Sequence, residues 1–397
     1  MVEIYLKISE EVLRDGQQDP RGISFNFPEM IDLAQEIYKI GPAIYNIDIM
    51  PVMHPMHEHA ARVLSKQKIP ITLATRMRGA DIRNSLTLND KIITISSVSD
   101  ELMAVKWNDK NNKNNYKRNI DSTVRELERA KRNGVMEIGV ACEDASRANL
   151  DFLTEYFGAC GSLADYFIYC DTNGIANPDE TRIRINHLVN KTGMSIMLHC
   201  HNDNGLAVEN TTQGIIGGAD GISTTLTGIG ERAAGNAPTE EVLYDLKKKG
   251  FVVRGVNYDQ LDRVVKKVKV LTPENQPAIV GHAIQTSGMH IHALQRARNI
   301  GIEVYTGKAE EYIPVRWGVS SAKSTLTEMM CQEGFDVDPD DEAAIVIGLK
   351  NLAMVEKKSF TPAEVKGIVC TGDYKAYQDW TNIPELNDSE ASRIYRV

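Results

Sequence analysis

Short runs of apolar, β-branched residues recur about every 30 residues along the chain, and each is followed by a stretch in which apolar positions return with helical period. Eight such strands are predicted, at 4–9, 44–50, 70–76, 91–97, 135–140, 166–171, 195–201 and 221–226. Amphipathic segments between them include 28–40, 121–133, 178–191 and 238–248. Pro28, Pro178 and Pro238 suit the first turn of a helix, where a missing N–H costs nothing. Gly134 and Gly193 suit helix ends. An open doubly wound sheet would also alternate strand and helix, but eight consecutive units within about 250 residues favour closure into an α/β (β/α)8 TIM barrel.

Past Leu246 the repeat stops. The expected organisation is a barrel over 1–255, a linker and lid segment over 256–322, and a small helical C-terminal domain and tail over 323–397. The Asn-rich stretch Trp107–Tyr116 reads as a mobile loop because it offers no apolar face, and the residues after Thr371 read as a loosely held tail.

Composition narrows the function. The 397 residues carry a net charge of -9, which disfavours nucleic acid or an anionic membrane as partner. An anionic substrate would therefore need a local cationic pocket. No apolar run approaches the roughly 20 residues of a membrane span, and the N-terminus lacks the succession of a secretory signal, so a cytoplasmic protein is expected. Six cysteines without a CxxC pair argue against a zinc knuckle or disulfide framework; reduced core or mouth positions are expected.

Polar residues interrupt the apolar pattern at the C-terminal ends of the predicted strands, where barrels of this kind place their chemistry. His199 and His201 are two apart in a strand, so both imidazoles project to one face while Cys200 projects to the other. With Asp15 from the end of the first strand they would form a three-ligand site with open positions for substrate and water. The bland alternative, two hydrogen-bonded core histidines, is disfavoured by the HxH spacing and by Asn202 and Asp203 directly after it. His54, His57 and His59 read as a solvated surface group at a helix start. Glu143 is a candidate general base, and Asp144 a cap for a helix beginning near Ser146; either could do no more than cap. Thr172 and Asn173 could bind a carboxylate or form a plain turn. No GxSxG, kinase or dinucleotide signature is present.

The motifs LRDGQQ, CDTNGIANP, HCHNDNGLAVEN and GIGERAAGN together resemble the acyl-CoA condensing branch of the DRE-TIM metallolyases, which contains homocitrate, isopropylmalate and citramalate synthases. The resemblance runs through all eight barrel units. It implies that Asp15, His199 and His201 bind a divalent ion (Mg2+, Mn2+ or Zn2+), with Asn236 as a fourth or near ligand. It further implies that Arg14 holds a 2-oxo acid, that Thr172 contacts its carboxylate and that Glu143 lies near the reacting carbons. His290, within TSGMHIHA, matches a lid histidine that reaches the active site of the neighbouring subunit, so a homodimer is implied. Gln18, Arg76 and Tyr312 complete the substrate-binding candidates. The implied reaction is condensation of an acyl-CoA, chiefly acetyl-CoA, with a 2-oxo acid, His290 acting as base with the support of Glu143 and with Arg14 as the third catalytic residue.

Ala141, Leu102 and the Ser320, Ser321, Ala322 run depart from the family pattern and leave the oxo acid unspecified. Two alternatives remain: a hydroxymethylglutaryl-CoA lyase-like enzyme that cleaves a carbon–carbon bond on the same barrel, and a non-catalytic regulator that keeps the barrel alone. The segment after the lid lacks room for a full feedback domain, so competitive inhibition by a product or weak allosteric control is expected.

Overall fold

The structure is a computed structural model that describes residues 1–232, 234–272, 286–305 and 315–379. Val2–Ile4 (β1) lies outside the barrel. Eight parallel strands follow: Lys7–Glu10 (β2), Ile44–Ile49 (β3), Ile71–Arg76 (β4), Lys91–Ser97 (β5), Glu137–Glu143 (β6), Tyr166–Asp171 (β7), Ile196–Cys200 (β8) and Gly221–Thr224 (β9). Each pairs with the next and β9 closes on β2. The expected first strand at 4–9 is split, because Val2–Ile4 pairs instead with Phe251–Val253 (β10) in a separate two-stranded sheet.

The helices around the barrel are Phe27–Tyr38 (α1), Pro55–Lys66 (α2), Gly79–Leu86 (α3), Asp100–Trp107 (α4), Asn112–Arg132 (α5), Leu150–Cys160 (α6), Pro178–Thr192 (α7), Ala207–Ile216 (α8), Thr239–Lys248 (α9) and Tyr258–Leu271 (α10). Beyond them come Gly288–Ile300 (α11), Lys323–Glu333 (α12), Glu342–Glu356 (α13) and Pro362–Thr371 (α14). Local signals set the helix starts: Asn26 and Glu29 form a capping box on α1 with Pro28 in its first turn, and Asn177 caps α7 ahead of Pro178. Strand alternation sets the layers. Ile47, Ile49, Leu73, Leu198 and Cys200 join the main core between strands and helices, while Tyr166, Ile168, Cys170 and Met197 form a second cluster within the barrel. Among the described residues no helix is long and apolar enough to cross a membrane.

Four expectations need correction. The stretch Trp107–Tyr116 is ordered: Asn111 caps α5, the Tyr116 ring stacks on Phe152 with centroids 4.1 Å apart, and its hydroxyl donates to Asp100 at 2.7 Å. Tyr116 supplies the apolar contact that composition seemed to deny. Asp144 caps no helix; it has φ +65, is paired with Arg147, and the next helix is capped by Asn149. His54 and His57 are buried, 3% and 0% exposed, because α13 covers the start of α2. His54 caps α2 through Nδ1 and meets Asn351 of α13 through Nε2 at 2.7 Å, while Lys350 donates to the Met53 carbonyl at 2.6 Å. Residues 373–377 are a helical turn with Tyr374 buried, its backbone lying against Gly348, where a Cβ would come within 2.5 Å of the Tyr374 carbonyl. All six cysteines are free; four are buried, and Cys331 and Cys370 are exposed.

Candidate active site at the barrel mouth

Asp15 opens a short 3-10 turn (Asp15–Gln18) in the loop that follows β2, and His199 and His201 stand at the end of β8. Leu198 and Cys200 pack outward, so the two imidazoles turn inward, with ring centroids 4.9 Å apart and planes at 84°. Ligand-competent atoms of Asp15, His199 and His201 all lie within 4.8 Å of one another, and all three residues are buried.

The surroundings prepare these groups for a cation. The Nδ1 of His199 lies 3.0 Å from the Ser223 carbonyl, which fixes the proton there and leaves Nε2 as the bare donor atom. Asn236 donates its Nδ2 to Asp15 Oδ2 at 2.6 Å, and its Oδ1 is buried without a protein partner, as is Nδ1 of His201. Orphaned buried polar atoms are costly unless something else satisfies them. A carboxylate, two imidazoles and an amide oxygen are a donor set that suits a borderline or hard divalent ion. Burial opposes ionisation of Asp15, but Arg14 and the two histidines outweigh it and hold the carboxyl below its usual range. Burial and the neighbouring His199 push His201 well down, towards the neutral form that ligates.

Backbone strain positions Asn236. Gly235 has φ +71, and a Cβ there would lie 1.9 Å from the Gly228 carbonyl oxygen, so only glycine permits the turn. The same turn lets Asn236 pair with His201 in a β-bridge.

Arg14 is enclosed by three carboxylates: Nε meets Asp48 at 3.1 Å, Nη1 meets Asp15 at 3.0 Å, and Nη2 meets Glu11. Three of its five N–H donors are thereby used and two are left. Burial raises Asp48 to about 8, with Arg14 opposing the rise and Glu11 adding to it.

Across the mouth, Glu143 ends β6 and accepts from Ser97 at 2.6 Å and from the Tyr305 hydroxyl at 2.9 Å. His290, on the lid helix α11, sits between two carboxylates, with Nε2 3.6 Å from Glu143 and Nδ1 3.4 Å from Glu231. Burial disfavours its charged form, yet Glu231 and Glu143 overcome this and raise its pKa above the ordinary histidine value. The resemblance assigns such a histidine to the neighbouring subunit; here α11 covers the mouth of its own barrel. Glu231 also approaches Nε2 of His201 at 3.6 Å and accepts from Gln18 at 3.5 Å, so it links the lid to the ligand cluster.

Thr172 sits at the end of β7, where its hydroxyl accepts from the Asp144 backbone N–H at 2.9 Å. Arg76 stands apart from this network, paired with Asp81 of α3 at 2.6 Å. Tyr312 lies outside the described residues. The sequence reading passed over Glu11, Asp48, Glu231, Ser97 and Tyr305. Alternation was the available signal for the first two, since Glu11, just past the end of β2, continues the series of Ser9, and Asn46 and Asp48 share one face of β3.

A closed parallel barrel with a buried Asp-His-His cluster, an Asn beside it and a cationic side chain at its mouth defines a class of barrel enzyme built around a divalent ion. Residues 5–268 match the HMGL-like family model, and the chain belongs to that family. It is 30% identical over 301 residues to a homocitrate synthase of Methanothermobacter thermautotrophicus, covering 73% of this chain and 74% of that one. It is 28% identical over 413 residues to the chloroplastic methylthioalkylmalate synthase 2 of Arabidopsis thaliana, covering 94% and 78% respectively. The crystal structure of hydroxymethylglutaryl-CoA lyase from Pseudomonas aeruginosa shares the fold, with a TM-score of 0.57 over 69% of this chain and 96% of that one, at 17% identity.

Proposed function

We propose that this protein condenses an acyl-CoA, chiefly acetyl-CoA, with a 2-oxo acid to give a 2-hydroxy acid and free CoA. The observation that carries the reading is the convergence of Asp15, His199 and His201 beside Arg14, opposite a histidine set between two carboxylates. Kinship with synthases in sequence, over most of the chain, supports condensation above the lyase alternative, with which the likeness is one of fold.

Asp15, His199, His201 and Asn236 would hold a divalent ion, Mg2+, Mn2+ or Zn2+, which when bound supplies Lewis-acid polarisation of the oxo group. Arg14 offers its two remaining N–H donors to the oxo acid, and Thr172, Gln18 and Arg76 are further substrate contacts in this reading. The neutral form of His290 takes a proton from the carbon next to the thioester carbonyl, and Glu143 steadies the imidazolium that forms. The carbanion so generated attacks the oxo carbon, a carbon–carbon bond forms as the C=O π pair moves onto oxygen, that oxygen takes up a proton to become the 2-hydroxyl, and attack of water on the thioester carbonyl gives a carboxylate and releases the CoA thiol. Enclosure of the pair by Tyr305 and Ser97 fixes Glu143 without a search through rotamers at the moment of transfer. A cytoplasmic homodimer belongs to the same reading, on the strength of the family resemblance.

The test is CoA release from acetyl-CoA by purified protein loaded with each of the three ions, against pyruvate, oxaloacetate, 2-oxoglutarate and 2-oxoisovalerate. Thiol release that depends on both the ion and an oxo acid supports condensation. Cleavage of a 3-hydroxyacyl-CoA without such release would favour the lyase, and neither activity would favour the regulator.

A further inference from the structure

Glu231 stands in the loop that follows β9 and is buried. Its two carboxylate oxygens face different partners: Oε1 lies 3.6 Å from Nε2 of His201, while Oε2 lies 3.4 Å from Nδ1 of His290 and accepts from Gln18 at 3.5 Å. Its backbone N–H donates to Asp15 Oδ2 at 3.3 Å, which holds the residue between the ligand cluster and the lid. The other nitrogen of His290 has Glu143 at 3.6 Å, and the two carboxylates together raise the histidine above its ordinary pKa. An imidazole so placed is favoured in its doubly protonated form, with a donor for each carboxylate. In that form it has no lone pair with which to take a proton.

The remaining polar groups around the lid histidine are engaged with other partners. The Tyr305 ring lies 4.6 Å from that of His290, and its hydroxyl donates to Glu143. Arg232 is paired with both oxygens of Asp203, Glu328 of α12 is paired with Arg298, and Lys106 of α4 donates to Asn119. Glu231 is therefore the carboxylate through which charge in the Asp15, His199 and His201 site reaches the lid. A bound divalent ion outweighs the side-chain charges around it and inverts the local acid–base order. Such an ion and a protonated His290 compete for one carboxylate, and their mutual repulsion is felt more strongly in a buried mouth than in water.

We infer that Glu231 is a positioning residue shared by the ion site and the base: without an ion it holds His290 as an imidazolium, and with a divalent ion beside His201 it lets the imidazole go neutral. The proton leaves Nδ1 for solvent, Nε2–H stays on Glu143, and Nδ1 becomes the basic atom that acts on the acyl partner. Proton abstraction is thereby confined to protein that has its ion in place. The inference rests on the divalent-ion site of the condensation reading and is independent of which oxo acid is used.

The experiment is a pH titration of the histidine ring signals of the full chain by NMR, with and without saturating Mg2+ or Zn2+, His290 being assigned from the signal that disappears in His290→Asn. On loading with the ion, His290 should titrate lower by about one pH unit or more. In Glu231→Gln it should titrate low already without the ion and move much less on loading. Glu231→Asp, which keeps the charge but withdraws it, serves where Glu231→Gln does not fold, with the same reduced movement expected. A His290 titration that ignores the ion while the His199 and His201 signals respond to it overturns the inference and leaves the ion site standing. An equal fall in the unaltered protein and in the Glu231 variants overturns it too, since the link then does not run through that carboxylate. If the His199 and His201 signals are also indifferent to the ion, the ion site itself fails and the inference with it.

Discussion

Acidification from pH 7 to pH 5 should destabilise this fold through two histidines far from the reaction. Burial lowers His54 to about 4, opposed by its bond to Asn351, and burial with the nearby His54 lowers His57 to about 3. In the unfolded chain both would titrate near the ordinary value of about 6.5. Between those limits the unfolded state binds the extra proton and the native state does not, so stability is complete above about pH 6.5 and falls as the pH drops below it. Integrating from pH 7 to pH 5 gives a loss of about 2 kcal/mol for each histidine, and roughly 3–4 kcal/mol for the pair. The physical source is the α2–α13 contact, where His54 meets Asn351 and the ammonium of Lys350 is buried against the Met53 carbonyl. A proton on either ring would add a second buried cation there. Urea midpoints of the unaltered protein and of a His54→Gln, His57→Leu double variant, measured at both pH values, test this. The unaltered protein should lose markedly more stability on acidification than the variant. Parallel losses in the two proteins would refute the reasoning.

Three other perturbations have defined outcomes. His290→Asn should lower kcat by about 10²–10⁴-fold and leave the KM of the oxo acid within a few-fold in steady-state CoA release, because a base acts on the acyl partner. Arg14→Met strips three buried carboxylates of their shared cation and should cost about 3–5 kcal/mol in a denaturation midpoint, along with turnover. Gly235→Ala cannot keep φ +71 against the Gly228 carbonyl, so Asn236 should shift and divalent-ion affinity by calorimetry fall about 10–100-fold.

The barrel was legible because periodicity of both kinds repeats eight times, and the ligand cluster because an HxH pair in a strand can point only to one face. The remainder depended on contacts between segments distant in sequence. His54, His57 and His59 look solvated when α2 is considered alone; only α13, some 300 residues on, buries the first two. Glu231 sat unremarked inside a quoted motif, since its part in joining His201 to His290 arises from the lid folding over the mouth. Tyr116 gave its loop an apolar anchor through Phe152, which composition averaged over the stretch conceals. Asp144 resembled a helix cap in order of residues, but Arg147, Thr172 and Asn173 claim it in space.

The central claim is tested most directly by counting divalent ions per chain, with elemental analysis after dialysis, in the unaltered protein and in a His199→Ala, His201→Ala variant whose circular dichroism is unchanged. About one ion per chain in the first, little in the second and CoA release only in the first is the predicted result. Equal ion content in the two proteins, or undiminished thiol release by the variant, would contradict a cation site built from Asp15 and the paired histidines.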